Sequence, residues 1–182
     1  SDHSEAPVNP VQPLFITHFT TTSAVGRGTS ALWGALEGGK SGLTANDFGD
    51  SPVDCWIGRV AGLEDEPLES RYQEFDCRNN RLAYLALQQD RFLHAVEDLK
   101  NRRDPRRIGL FLGTSTSGIL TTEEAFRTQG ETGAFPDDYH YPETQDLYSV
   151  TDFVRRRLGL KGPAHTVSTA CSSSAKVFCD AH

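Results

Sequence analysis

Methionine is absent from all 182 residues, position 1 included. The chain also stops at His182, inside what reads as a helix, so the expectation is a processed or truncated polypeptide. No apolar run approaches the roughly 20 residues that a membrane-spanning helix needs. Ser1 to Pro10 have neither the basic start nor the apolar stretch of a secretory signal, which makes the cytoplasm the expected compartment. Basic excess is missing too: 18 Lys and Arg face 25 Asp and Glu, a formal net charge of −7. That sign argues against non-specific nucleic-acid binding. Cysteine is scarce. Cys55, Cys77, Cys171 and Cys179 include no CxxC pair, so no metal site, redox motif or secreted disulfide framework is expected. Cys171 and Cys179 fall on one expected helix, too far apart along it to bridge. Cys55, Cys77 and Cys179 read as small buried apolar residues.

What is present alternates between strand and helix. Residues 1–13, with Pro7, Pro10 and Pro13, read as a polar tail, and 14–182 as one substantial domain. The run 14–20 reads as a first strand. Thr29 or Ser30 can cap a short helix carrying Leu32, Trp33 and Leu36, which Gly38 and Gly39 stop. Residues 40–54 look like surface loop, 55–60 like a short strand, and 61–75 like an acidic irregular stretch. Leu82, Leu85, Phe92, Leu93, Val96 and Leu99 recur at helical spacing, so one helix is expected over 76–102 with Asp76 as its cap.

The apolar run 108–112 suits a strand buried on both faces, and 113–118 is a tight Gly- and Ser-bearing loop. Thr121 and Glu124 form a capping-box pattern, and 130–142 is a loop. A helix near 144–158 carries Leu147, Val150, Val154 and Leu158 on one face; Arg155, Arg156 and Arg157 read as its solvated end. A strand over 164–168 then runs into a helix from Cys171 onward. This order predicts an α/β fold with helices on both sides of a mostly buried mixed sheet.

The chemistry centres on Ser168-Thr169-Ala170-Cys171-Ser172-Ser173-Ser174. A thiol attacks as its thiolate, and a helix N-terminus favours that anion with unpaired N–H groups and a partial positive charge. Ser168 or Thr169 is the expected cap, which puts Cys171 in the first turn. Its small neighbours let a substrate carbonyl approach and leave the Cys171 N–H free for a developing oxyanion. The same argument fits any cysteine at a helix start, so on this ground alone a structural role is the commoner reading.

The stretch from Gly159-Leu160-Lys161-Gly162-Pro163 through Ala164-His165-Thr166-Val167 to that cysteine motif closely resembles the nucleophile region of β-ketoacyl-acyl-carrier-protein synthases. These are thiolase-like condensing enzymes. The opening 16–42, the helix 76–102 and the loop 113–118 resemble further family segments in the right order. The resemblance covers most of 14–182 and implies the amino-terminal half of the family's two-half fold, truncated just after the nucleophile. His18-Phe19-Thr20-Thr21-Thr22 departs from the family's Gly-rich opening, which suggests a divergent branch.

The resemblance implies that Cys171 is nucleophile and backbone oxyanion donor, that Thr116 gates an acyl pocket, and that Arg78 and Arg81 meet an acidic acyl carrier protein. It implies no cofactor and no metal. The reaction implied is a decarboxylative Claisen condensation with malonyl-carrier protein, in fatty-acid or polyketide and polyene biosynthesis. The family completes its site with two histidines, a lysine and a phenylalanine from the second half. Those motifs are not among these residues, so this stretch alone is expected to be inactive in condensation. The strand 164–168 is expected to pair across a two-fold axis, as homodimer or ketosynthase-like heterodimer. The alternative is a non-catalytic partner subunit that shapes an acyl tunnel.

His165 and His182 are read as surface or satisfied histidines, not partners of the thiol. A cysteine-protease reading lacks its downstream histidine and papain signature. The loop 113–118 has neither the G-x-G-x-x-G spacing nor the Gly-Lys-Ser/Thr ending of a phosphate cradle.

Overall fold

A computed structural model of the chain describes residues 12–49 and 53–182. The polar tail expected over 1–13 lies, apart from Gln12 and Pro13, outside the described residues. β1 (Thr22–Ser23) and β2 (Gly26–Arg27) make a minimal antiparallel hairpin leading into α1 (Thr29–Glu37). β3 (Leu43–Ala45) and β4 (Trp56–Gly58) pair antiparallel. A 3-10 helix over Ser70–Phe75 precedes α2 (Arg78–Leu87) and α3 (Phe92–Arg102). Then come β5 (Leu110–Gly113), α4 (Ile119–Thr132), α5 (Tyr141–Thr144), α6 (Ser149–Leu158), β6 (Ala164–Val167) and α7 (Ser173–Ala181).

β5 and β6 are parallel, with Leu110 opposite Ala164 and Gly113 opposite Val167. Parallel neighbours need a long crossover, and α4 to α6 supply it. The expected α/β layering is therefore present. Among the described residues the ladders are two-stranded, so the sheet is narrower than a broad mixed one.

The core forms where the 3-10 helix, α2 and α6 meet the β5–β6 pair. Val150, Phe153, Val154 and Leu158 recur at helical spacing on α6, and all four are buried. The Phe153 ring meets Tyr72 edge-on at 5.5 Å and lies 6.1 Å from Phe75 and 6.2 Å from Tyr84. Arg156 lies over Phe75 at 4.9 Å and Arg157 over Tyr84 at 5.5 Å. The arginines read as a solvated helix end thus partly roof the aromatic core, with their guanidinium groups lying over the rings. Asp152 anchors Arg155 and Arg156 by ion pairs at 2.7 and 2.8 Å.

One buried polar group locks the layers. Asn80 Nδ2 donates to Phe75 O (2.9 Å), Ser149 Oγ (2.9 Å) and Glu143 O (3.2 Å). Two carbonyls from separate segments thereby gain a partner away from water.

Several expected elements are corrected. The helix expected over 76–102 is two helices, broken where Asp90 and Arg91 take φ of 51° and 58°. The break has a use. Asp90 accepts from Thr20 Oγ1 at 2.7 Å, from the Thr29 amide at 3.0 Å and from Thr29 Oγ1 at 2.8 Å. It therefore caps α1 from a remote part of the chain, while Thr29 is already helical and Gly28 holds the N-cap position. Asp76 does not cap α2: its carboxylate clamps Arg81 at 2.5 and 2.7 Å, its amide closes the 3-10 helix on Gln73 O, and Cys77 holds the N-cap position of α2.

The Thr121–Glu124 capping box does not form, because α4 starts earlier, at Ile119 after Gly118. The helix near 144–158 is split into α5 and α6 by Asp146, whose carboxylate takes the Tyr148 amide at 2.7 Å. Leu147 is consequently exposed. The expected loop 40–54 contains β3, and the irregular 61–75 ends in the 3-10 helix. The run 14–20 is not a strand: its apolar alternation is right, but among the described residues its backbone pairs with no neighbouring strand. Leu14, Phe15, Ile16 and Phe19 stay exposed.

Two outcomes follow from this packing. Phe153→Ala removes the ring that three aromatics share, and should cost about 3–5 kcal/mol in denaturant unfolding. The second concerns Asp90. Hydrogen bonds from Thr20 and then Thr29 hold its carboxyl below the ordinary value of 3.8. The folded state thus binds fewer protons there than the unfolded one. This stabilisation is present above that ordinary value and is lost as pH falls through the lower folded one. Asp90→Asn should melt below the parent at about pH 6, and the gap should close towards about pH 2. A gap independent of pH would refute the assignment.

Candidate active site

β6 carries the chain to Val167, whose carbonyl accepts the Thr114 amide at 3.1 Å just beyond the β5–β6 ladder. The backbone then turns sharply through Ser168 to Ser172, and α7 begins at Ser173. Ala170 takes φ of 52°. A left-handed non-glycine residue costs about 1–2 kcal/mol, so its surroundings must hold it. Ser173 does so. Its buried hydroxyl accepts from the Thr169 amide at 2.9 Å and donates to Ala170 O at 2.7 Å. The Ser172 and Ser173 amides donate to Thr169 O and Ala170 O at 3.3 and 3.2 Å.

Gly113, the last residue of β5, fits under this elbow. A Cβ there would stand 2.7 Å from Ser173 O and 2.9 Å from Ser174 N. Only glycine lets the strand end pass so close to the helix head. The 113–118 loop is pinned on its other side. Ser117 Oγ donates to Thr144 O at 3.1 Å and to Gln145 O, and the Gly118 amide donates to Thr144 O at 2.9 Å.

Cys171 is exposed in this elbow. It precedes the N-cap Ser172 and is not in the first helical turn, and neither Ser168 nor Thr169 is the cap. The reason is local: the left-handed Ala170 consumes a turn before helical geometry can start. The thiol still stands beside the positive end of α7.

The other sequence-predicted residues lie as follows. Thr116 is exposed, and its carbonyl accepts Thr114 Oγ1 at 2.6 Å. Arg78 pairs with Glu64 at 2.6 Å and stacks over Phe48 at 4.9 Å. Arg81 is held by Asp76 and also donates to Glu64 O at 3.0 Å. Both arginines thus have intramolecular partners. His165 stacks on Phe111 at 5.5 Å, and His182 Nε2 meets Gln12 O at 2.9 Å. Cys77 is buried as expected and Cys55 half-buried. Cys179 is exposed, against expectation, because α7 buries only Ser173. Sequence reasoning missed the braces Ser173 and Gly113. The triple serine and the strand-ending glycine were visible, but nothing in the sequence told their roles apart from those of their neighbours.

Among the described residues no group of His, Cys, Asp and Glu is placed to hold a metal ion. No helix among them is long and apolar enough to cross a membrane.

The α/β layers, with a parallel strand running into a cysteine elbow and a helix, have the thiolase-like fold. Residues 12–182 match the family model of the β-ketoacyl synthase N-terminal domain, and the chain belongs to that family. A curated relative, the putative polyketide β-ketoacyl synthase 1 of Streptomyces halstedii, is 26% identical over 179 residues, covering 88% of this chain and 40% of the relative. A chain of the ketosynthase ApeO–chain length factor ApeC complex from Xenorhabdus doucetiae superposes with a TM-score of 0.72 and 30% identity. That match covers 87% of this chain and 40% of the other. The ishigamide ketosynthase/chain length factor shares the fold at a TM-score of 0.63 and 13% identity, covering 89% and 43%. The chain therefore spans about 40% of the length of these relatives.

The thiols should separate in alkylation. Burial, first of all, pushes the Cys77 thiol up from its ordinary value, and burial also shields it from reagent. Iodoacetamide followed by peptide mass spectrometry should modify the exposed Cys171 and Cys179 in the native protein, and Cys77 only on unfolding. Early labelling of Cys77 would contradict the packing around it.

Proposed function

We propose that residues 14–182 are the nucleophile-bearing half of a β-ketoacyl synthase, with Cys171 as the acyl acceptor. The observation that carries this reading is the exposed Cys171 in a strained elbow at the head of α7, within a chain of the ketosynthase family. In the loading step the Cys171 thiolate attacks the carbonyl of an acyl thioester on an acyl carrier protein. The Cys171 N–H supplies one oxyanion contact. The tetrahedral intermediate collapses by losing the carrier thiolate, which takes up a proton, and the acyl group remains on Cys171.

Condensation belongs to the intact enzyme. Malonyl-carrier protein loses CO₂, its carbanion attacks the acyl-Cys171 carbonyl, and the cysteine thiolate departs. Thr116, exposed on the loop after β5, is assigned to the mouth of the acyl pocket. Carrier docking on Arg78 and Arg81 has to compete with Glu64 and Asp76 for the same guanidinium groups. Docking strength at that patch should therefore fall steeply with salt. The partner is a ketosynthase-like subunit, forming a dimer through β6, which among the described residues pairs only with β5.

A second reading has support of its own: two structural neighbours are ketosynthase–chain length factor complexes, so this chain could be the tunnel-shaping partner. The retained thiol favours the catalytic reading. Incubation with an acyl thioester and intact-mass measurement separates the two. The catalytic reading expects one acyl adduct per chain, located on Cys171 and lost in Cys171→Ala. An adduct that persists in this variant, or none at all in the full-length protein, rejects it.

A further inference from the structure

The apolar side of α3 faces a space that the described residues leave unfilled. α3 departs from α2 at the left-handed pair Asp90 and Arg91, and it buries none of its own residues. Between the two helices, β5 and α6 lies a cavity of about 400 Å³, walled by groups such as Leu87, Phe92, Val96, Leu112 and Leu158. Thr20 is its one polar lining side chain. Water is held in a protein by two to four polar partners, so this cavity suits an apolar occupant. Its size falls in the range of small-molecule sites.

A cleft between α3 and the run 14–20 adjoins the cavity and supplies charge. It measures about 690 Å³, and Phe92, Val96 and Leu99 wall both spaces. Thr17, His18, Arg102 and Arg103 complete its lining. Arg102 Nε donates to Asp98 O at 3.1 Å. Among the described residues neither Arg102 nor Arg103 forms an ion pair, because the acids nearby are engaged. Glu97 holds Lys100 at 2.7 Å, Asp98 faces His94 at 3.6 Å, and Asp104 holds Arg106 at 2.7 Å. An apolar chamber thus opens beside two arginines with unmatched charge.

This space is not the Cys171 site. Successive side chains of a strand point to opposite faces. Leu110 and Leu112 of β5 turn towards α6, whereas Gly113 meets Ser173 of α7 on the other side. β5 therefore stands between the cavity and the cysteine elbow.

We propose that the space around α3 binds a long-chain carboxylate, its hydrocarbon tail in the cavity and its carboxylate against Arg102, Arg103 and His18. A tail alone would leave the arginines without a partner, and a cationic head would be repelled by them. The site goes beyond the acyl-transfer reading and does not depend on it.

The test is isothermal titration of the full-length protein with three probes of equal tail length: decanoate, decan-1-ol and decyltrimethylammonium, each kept below its micelle concentration. Decanoate should bind, decan-1-ol more weakly, and decyltrimethylammonium not at all. Arg102→Gln with Arg103→Gln should weaken decanoate by about fivefold or more and leave decan-1-ol unchanged. Val96→Trp, which fills the chamber, should remove both. If that variant misfolds by circular dichroism, the two arginines, both exposed, still decide the matter.

Decanoate that binds the arginine variant as tightly as the parent would overturn the proposal, as would equal binding of the ammonium probe. So would the absence of any decanoate binding, which would mean that the chain itself closes the cavity in the full-length protein. Acyl loading of Cys171 is read on the same samples. Loss of loading with decanoate binding intact counts against the catalytic reading alone.

Discussion

The approach of the β5 terminus to the head of α7 is the contact on which the candidate site depends. At Gly113 the strand backbone passes so near the Ser173 carbonyl that no side chain fits between them. That closeness places Ser173 where its hydroxyl can take the Thr169 amide and give to the Ala170 carbonyl. The hydroxyl holds Ala170 in a left-handed conformation that an alanine otherwise avoids. The left-handed turn delays the helix, and Cys171 is left projecting from the elbow. Remove the glycine and each later step loses its support.

The remaining structure supplies a platform for that contact. α6 buries one apolar face around Phe153, the 3-10 helix and α2 wrap it with Tyr72, Phe75 and Tyr84, and β5 with β6 closes the inner side. Polar groups tie the layers at a few points of large sequence separation. Asn80 binds three segments with one amide, and Asp90 reaches back to the start of α1. Such bonds set register more than they add stability, since each replaces bonds to water. Ion pairs cover the outer faces of α2 and α6. Among the described residues the carboxylates from α4 to α5 form no ion pairs, unlike those paired with the arginines of α2 and α6.

Much of this was legible in the residues. The alternation of strand and helix, the apolar face of α6, the glycine stops after α1 and α6, and the strand entering the cysteine motif all follow from local pattern. So does the family, because its motif spans consecutive residues. The failures share a cause. Asp76, Thr29, Thr121 and Asp146 are all residues whose side chains can bond backbone amides nearby or remotely. Local spacing does not say which partner wins. Asp90 chose Thr20 and Thr29 and broke a helix to do so. The run 14–20 carries a strand's pattern, yet pairing needs an edge that its own sequence cannot provide.

The sequence by itself determined the family, the α/β alternation and the identity of the one cysteine set among small residues at a strand–helix junction. These depend on side-chain chemistry and on spacing within a few residues. The tertiary structure alone decided that Cys171 lies in an elbow ahead of the helix, that arginines roof the aromatic core, and that Phe126, Phe135 and Tyr139 pack on one another away from it. Each of these turns on groups far apart in the chain competing for the same space and the same hydrogen bonds, and only the folded arrangement resolves that competition.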